Sequence, residues 1–295
     1  MKYAYYPGCS SEGRGAEYAR ASEAVLEALG VELEEIDDWV CCGASPAHAT
    51  SHLLSIALPA ISCAAAEKQS LDIMTCCACC HSRLKQVNQE VKDDPKLRAK
   101  VSEIIEEEVQ GSLNVLHITE VLARGVGLDA IKAHVRKPLK GLKVACYYGC
   151  LMSRMPEALL SDKSEYPMLL DNLMDAIGAE PLDWPYKTEC CGAALTLTQT
   201  KTVIRLSADV LRMAKQNGAD VLCVACPLCQ ANLDMFQGEA EKLLGERFSI
   251  PVIYFVQLMG LAMDLDPKRI CLDRLIVDPL PVLAQKGLID GKVYL

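Results

Sequence analysis

Two stretches of this chain, KYAYYPGC at residues 2–9 and KVACYYGC at 143–150, are near copies, and the tetrad CCGA occurs at 41–44 and again at 190–193. A repeat on this scale means that one folding unit is used twice, so motifs present in both halves are the first candidates for function. The polar HVRKPLKG at 134–141, with its Pro and Gly, is the natural join. It divides the chain into an N-terminal domain, 1–138, and a C-terminal domain, 139–295.

Hydrophobic periodicity gives each half the same grammar. In the first, strands at Tyr3–Tyr6, Val31–Ile36, Leu71–Met74 and Leu113–His117 alternate with helical patterns at Ala16–Leu29, Ser51–Lys68, Leu84–Val91, Lys96–Val109 and Thr119–Arg124. In the second, strands at Leu142–Tyr147, Glu180–Leu182, Asp220–Val224 and Val252–Tyr254 alternate with helices at Pro167–Ile177, Thr202–Gln216, Ala231–Leu244 and Phe255–Met263. Strands separated by helices of this length need crossover connections, which predicts an α/β fold with a small parallel sheet of four strands per half.

Net charge is −9, with 30 Lys+Arg against 39 Asp+Glu, so nothing in the balance attracts a polyanion and a nucleic-acid role is disfavoured. The N-terminus meets Gly, Ser, Glu and Arg before any apolar core of signal length. No run approaches the ~20 apolar residues of a membrane span, so a cytoplasmic location is expected. Sixteen cysteines in a chain without a secretory signal point to metal ligation rather than a disulfide framework.

The cysteines are where the repeat becomes chemical. TCCACCH at 75–81 offers either Cys76/Cys79 or Cys77/Cys80 as a C-x-x-C chelate, and Cys223, Cys226 and Cys229 offer a similar choice in the second half. Cys42 precedes Cys77 by 35 positions, and Cys191 precedes Cys226 by the same 35, which pairs Cys77/Cys80 with Cys226/Cys229. Each half then holds one set, Cys9, Cys41, Cys42, Cys77 and Cys80, or Cys150, Cys190, Cys191, Cys226 and Cys229. Every set comes from three segments that follow predicted strands, where ligands collect in open α/β sheets. Five thiolates exceed the four of a tetrahedral zinc site and suit a multi-iron cluster with a bridging thiolate. Zinc is the alternative metal. Cys76, Cys79 and Cys223 flank the chelates as alternative ligands, whereas Cys63, Cys146 and Cys271 read as core.

With its order C…CCG…CC-x-CC followed by C…CCG…C-P-L-C, the chain resembles the duplicated cysteine-rich CCG domain of the B-type subunit of heterodisulfide reductase over essentially its whole length. The resemblance implies two CCG domains related by a pseudo-two-fold axis, each set of five binding one noncubane [4Fe-4S] cluster. It implies a catalytic subunit that reduces, or reversibly forms, a disulfide such as that of coenzyme M and coenzyme B between the two clusters. Implied partners are a ferredoxin-like C-type subunit with cubane [4Fe-4S] clusters and a flavin-containing A-type subunit. The domain also occurs in relay subunits of lactate, glycolate and succinate-type dehydrogenase complexes, and electron transfer without catalysis is the alternative role. The run Cys223-V-A-Cys226-P-L-Cys229 starts like a ferredoxin motif but has Leu at 233, so cubanes belong on a partner.

No flavin or nucleotide is expected in this chain, since Gly13-x-Gly15 lacks its third glycine, position 18 being Tyr. Gly43 and Gly192 would let the backbone turn close to cluster sulfur. An anionic substrate needs a cation or polar donor nearby. Arg154 is the first choice for that role, with His48 and Lys187 beside it and His81 as a supporting residue. The acidic EIIEEE at 103–108 reads as a solvated helix face.

Overall fold

The computed structural model describes residues 1–289. The first half runs β1 (Lys2–Tyr6), α1 (Ala16–Ala28), β2 (Glu32–Glu35), α2 (Ala44–Thr50), α3 (His52–Gln69), β3 (Ile73–Thr75), α4 (Ala78–Asp93), α5 (Pro95–Ile105) and β4 (Val115–His117). A short α6 (Ile118–Glu120), a π-helical turn at Val121–Gly127 and α7 (Leu128–His134) lead to the second half. There β5 (Lys143–Tyr147), α8 (Leu169–Ala176), β6 (Glu180–Pro181), α9 (Thr200–Gln216), β7 (Val221–Val224), α10 (Pro227–Met235), α11 (Gln237–Leu244), β8 (Val252–Tyr254) and α12 (Phe255–Ala262) follow in the same sense. Two short helices, α13 (Pro267–Ile270) and α14 (Leu280–Gln285), close the described chain.

Each half builds a four-stranded, wholly parallel sheet, ordered β2-β1-β3-β4 in one and β6-β5-β7-β8 in the other. The central strands are buried on both faces, which is why β3 and β7 read as unbroken apolar runs rather than alternating ones. In this order the winding reverses between β1 and β3, and between β5 and β7. Beyond the carboxyl ends of these strands a crevice opens.

Helices α3, α4 and α5 pack together on one side of the first sheet, and α9, α10 and α11 do so on the second. The helix after the first strand of each half packs against the other half. α1 lies on α12 and α13, and its counterpart α8 lies on α6, the π turn and α7. Since α6 and α12 are themselves counterparts, each following the last strand of its sheet, these contacts are reciprocal, as an internal two-fold requires.

Element boundaries depart from the sequence reading where the cysteine segments are helical. α4 starts at Ala78 rather than near Leu84, and α10 starts at Pro227, where proline suits a first helical position. The pattern at Ala231–Leu244 is two helices. At the break, Asp234 accepts the backbone N–H groups of Ile276 and Val277, and Gln237 accepts that of Ile250, so polar side chains there hold neighbouring loops.

Candidate iron-sulfur site

The C-x-x-C segments straddle a helix start. Cys77 and Cys226 are the N-cap residues of α4 and α10, in extended conformation, and Cys80 and Cys229 lie in the first turn. A three-residue step inside a helix start puts both sulfurs on one side. The free N–H groups there favour thiolate, as those of Cys229 and Leu228 do for Cys226. Cys9 and Cys150 follow the first strand of each half, and the paired Cys41–Cys42 and Cys190–Cys191 come after the second. Three loops therefore meet over each switch point.

In the first half, Cys42 Sγ lies 3.4 Å from Cys80 Sγ, and Cys9 and Cys41 interact at the outer side. In the second, Cys191 and Cys229 are 3.5 Å apart and Cys150 and Cys190 3.6 Å. Cys77 interacts with Cys80, and Cys226 with Cys229. Among the described residues no three His, Cys, Asp or Glu side chains gather as a site for one metal ion. The thiols form a row of contacting pairs, which suits a group whose several metal atoms span that row. Burial grades along it: Cys42, Cys77, Cys80, Cys191, Cys226 and Cys229 are buried, Cys150 and Cys190 half-buried, and Cys9 and Cys41 exposed.

The two rows touch. Cys77 and Cys226 interact across the junction of the halves, and Cys226 is the first cause that pushes the Cys77 thiol up. Contact with Cys229 and then Cys77 draws Cys226 down. At the outer edge, Cys190 is drawn down to about 6 by Cys150, with the Gly192 N–H and the Arg154 charge adding to the effect.

Of the flanking cysteines, Cys76 is pushed up to about 12 by burial and interacts with Ser22 and Tyr5, away from the row. Cys223 pairs in register with Cys146 and meets Met174, so both are core. Cys79 is different, because it is buried and interacts with Cys42. Its counterpart position in the second half is Leu228.

Gly43 and Gly192 do adopt positive φ, +73° and +79°. An added Cβ there would meet Ala47 and Leu58, or Val203 and Leu206, rather than sulfur. The glycines that crowd sulfur are Gly8 and Gly149, where a Cβ would sit 3.0 Å from Cys80 Sγ and 3.1 Å from Cys229 Sγ. Tyr6 and Tyr147 line the same side. The Tyr6 hydroxyl donates to Val40 O at 2.7 Å and that of Tyr147 to Glu189 O at 2.6 Å, in both cases the residue just before the CC pair. These four residues stand in the repeated KYAYYPGC and KVACYYGC letters, and that repetition was the signal for them.

Of the cationic candidates, Arg154 reaches the row, with Nη2 3.5 Å from Thr188 O and its charge acting on Cys190. His48 lies on the exposed side of α2, which begins directly after the Cys41–Cys42–Gly43 turn. Lys187 corrects the sequence reading. Its ammonium is buried, 2.7 Å from Asp171 Oδ1, so its charge is committed to a carboxylate on α8 that also accepts from Tyr148 at 2.6 Å. What Lys187 offers the site is its carbonyl, which accepts from the Tyr148 and Gly149 N–H groups ahead of Cys150. His81 is likewise internal, 3.1 Å from Glu120. Sequence reasoning missed Arg83, one turn beyond Cys80 on α4, whose charge helps draw Cys42 down. At the equivalent position Asn232 Nδ2 donates to Cys191 O at 3.1 Å.

The profile of the CCG cysteine-rich domain matches residues 3–85 and 144–234, and the chain belongs to that family. A curated relative in Wolinella succinogenes, the 8-methylmenaquinol:fumarate reductase membrane anchor subunit, is 29% identical over 94% of this chain and 97% of its own. The B-type subunit of the ferredoxin/F(420)H(2)-dependent CoB-CoM heterodisulfide reductase of Methanosarcina acetivorans is 28% identical over 96% of each. Among solved structures, a hypothetical protein from Helicobacter pylori superimposes with a TM-score of 0.75 at 12% identity over 94% of this chain. The present chain spans about half, 52%, of that protein's length. Among the described residues no helix is long and apolar enough to cross a membrane.

Proposed function

We propose that each set of five cysteines holds one noncubane [4Fe-4S] cluster. In this reading the chain is the catalytic subunit of a heterodisulfide reductase-like complex in the cytoplasm, reducing a small disulfide or forming it in the reverse direction. The observation that carries the proposal is the meeting of two equivalent thiol rows at Cys77 and Cys226. Cleaving a disulfide takes two electrons and two protons, and a pair of clusters supplies one electron each. The chain's own contribution is positioning. The buried cysteines anchor the two groups side by side, while Cys9, Cys41, Cys150 and Cys190 mark the side a small molecule can reach. Arg154 would hold an anionic group of that molecule, with His48, exposed on α2 after the Cys41–Cys42 pair, as a second candidate cation. A ferredoxin-like C-type subunit with cubane clusters would deliver electrons, and a flavin-containing A-type subunit would complete the assembly, in keeping with the Methanosarcina relative's description as one subunit among several.

Iron and acid-labile sulfide analysis, followed by electron paramagnetic resonance of the oxidised protein with and without added thiol or disulfide, tests this reading. A brown protein with a substrate-dependent signal is expected, whereas a colourless zinc protein would refute it. A second reading, a relay subunit that only passes electrons, is favoured by the Wolinella relative's description as an anchor subunit. It predicts clusters whose spectrum is indifferent to thiol and disulfide.

A further inference from the structure

The two thiol rows belong to different halves, and something must fix how far apart they sit. His117, the last residue of β4, occupies that place. Its Nε2 lies 2.9 Å from Cys76 O and 3.2 Å from Ala225 O. Those are the carbonyls immediately before Cys77 and Cys226, one in each half. Both partners are acceptors, so Nε2 carries the proton. Nδ1 then accepts, from the Thr119 N–H at 3.3 Å and the Thr119 hydroxyl at 2.8 Å. The Tyr18 hydroxyl adds a donor to Ala225 O at 3.4 Å, and its ring stacks on Tyr254 at 4.2 Å. Tyr254 is the register counterpart of His117, since Thr75 pairs with His117 in the first sheet and Val224 with Tyr254 in the second. One half therefore supplies an imidazole that ties both carbonyls, where the other supplies a phenol ring that packs.

We propose that His117 is a positioning residue that sets the separation of the two sites, by holding with one N–H the two carbonyls that lead into Cys77 and Cys226. The proposal rests on the reading that both rows carry clusters. Its consequence is that the magnetic coupling between the reduced sites, which falls as the inverse cube of their distance, is governed by a residue that ligates neither.

The test compares purified wild type, His117→Gln, His117→Leu and Thr119→Val by iron content, thermal unfolding and electron paramagnetic resonance of the fully reduced protein. Glutamine keeps a donor and should retain the splitting that arises between the two sites. Leucine removes the donor and should lose or reduce that splitting with both individual signals and full iron still present. Thr119→Val, which loosens the ring without removing it, should give a smaller change in the same direction. An unaltered splitting in His117→Leu would overturn the proposal. So would loss of iron from both halves in His117→Leu together with unchanged splitting in Thr119→Val, since His117 would then serve the fold alone. Absence of any iron-sulfur signal in the wild type would instead defeat the cluster assignment, an outcome distinct from both.

Discussion

Gly8 shows how much a single missing methyl can matter at this site. It sits at φ +70°, where an L side chain costs about 1–2 kcal/mol, and its added Cβ would press on Cys80 Sγ at 3.0 Å. Gly8→Ala should therefore deplete iron in the N-terminal half and Gly149→Ala in the C-terminal half, each read as loss of about half the iron per chain. His117 gives a pH signature. Burial first, then the neighbouring His81, depresses its pKa to about 4 from an ordinary value near 6.5. The unfolded chain thus takes up the proton first, and stability falls as pH drops from about 6.5 towards 4, by on the order of 3 kcal/mol in all. His81, also depressed by burial, slopes the same way. Urea unfolding between pH 7 and 5 should show a shallower dependence in His117→Gln than in wild type. At this scale the sequence was most legible where letters repeat. The ten thiols, two tyrosines and two critical glycines all lie in duplicated motifs, though duplication alone does not say which glycine faces sulfur. Arg83 and His117 have no such marker, because their counterparts are Asn232 and Tyr254, and only the folded register reveals the correspondence.

Among the elements, strands were easier to read than helix starts. Parallel strands buried on both faces announce themselves as short apolar runs, while the first turns of α4 and α10 are written in cysteines that periodicity cannot weigh. The π-helical turn at Val121–Gly127, against which α8 packs, was likewise out of reach, since an apolar pattern read at 3.6 residues per turn does not reveal a local i→i+5 winding. Two element-level contacts can be tested. Gly260 on α12 leaves room for α13, and an added Cβ would fall 2.3 Å from Ile270 Cγ2. Gly260→Ala should cost about 1–3 kcal/mol by overpacking, seen as a lowered Tm. The tie between α8 and the segment before Cys190 rests on the Asp171–Lys187 pair, both partners buried. Lys187→Met strands the carboxylate, and about 3–5 kcal/mol should be lost in denaturant unfolding. Asp171→Leu/Lys187→Met should recover most of it.

The molecule as a whole is two copies of one plan that share their inner faces. Replacing Cys42 by Ala should remove iron from the first half and leave the second, with Cys191→Ala doing the reverse. Equal loss from both halves in metal analysis and spectroscopy would contradict independent sites. The cysteine rows also carry an order in time. A chain emerging from the ribosome presents Cys9 through Cys80 long before Cys226 exists, so on the proposed cluster reading the first row would meet iron while its inner end, at Cys77, is still bare. Only when α10 arrives is that end walled off, and α1 stays uncovered until α12 and α13 are made. If each row holds a cluster as proposed, maturation would run as two loadings and one closure, and the first centre would be most open to oxygen in the interval before that closure.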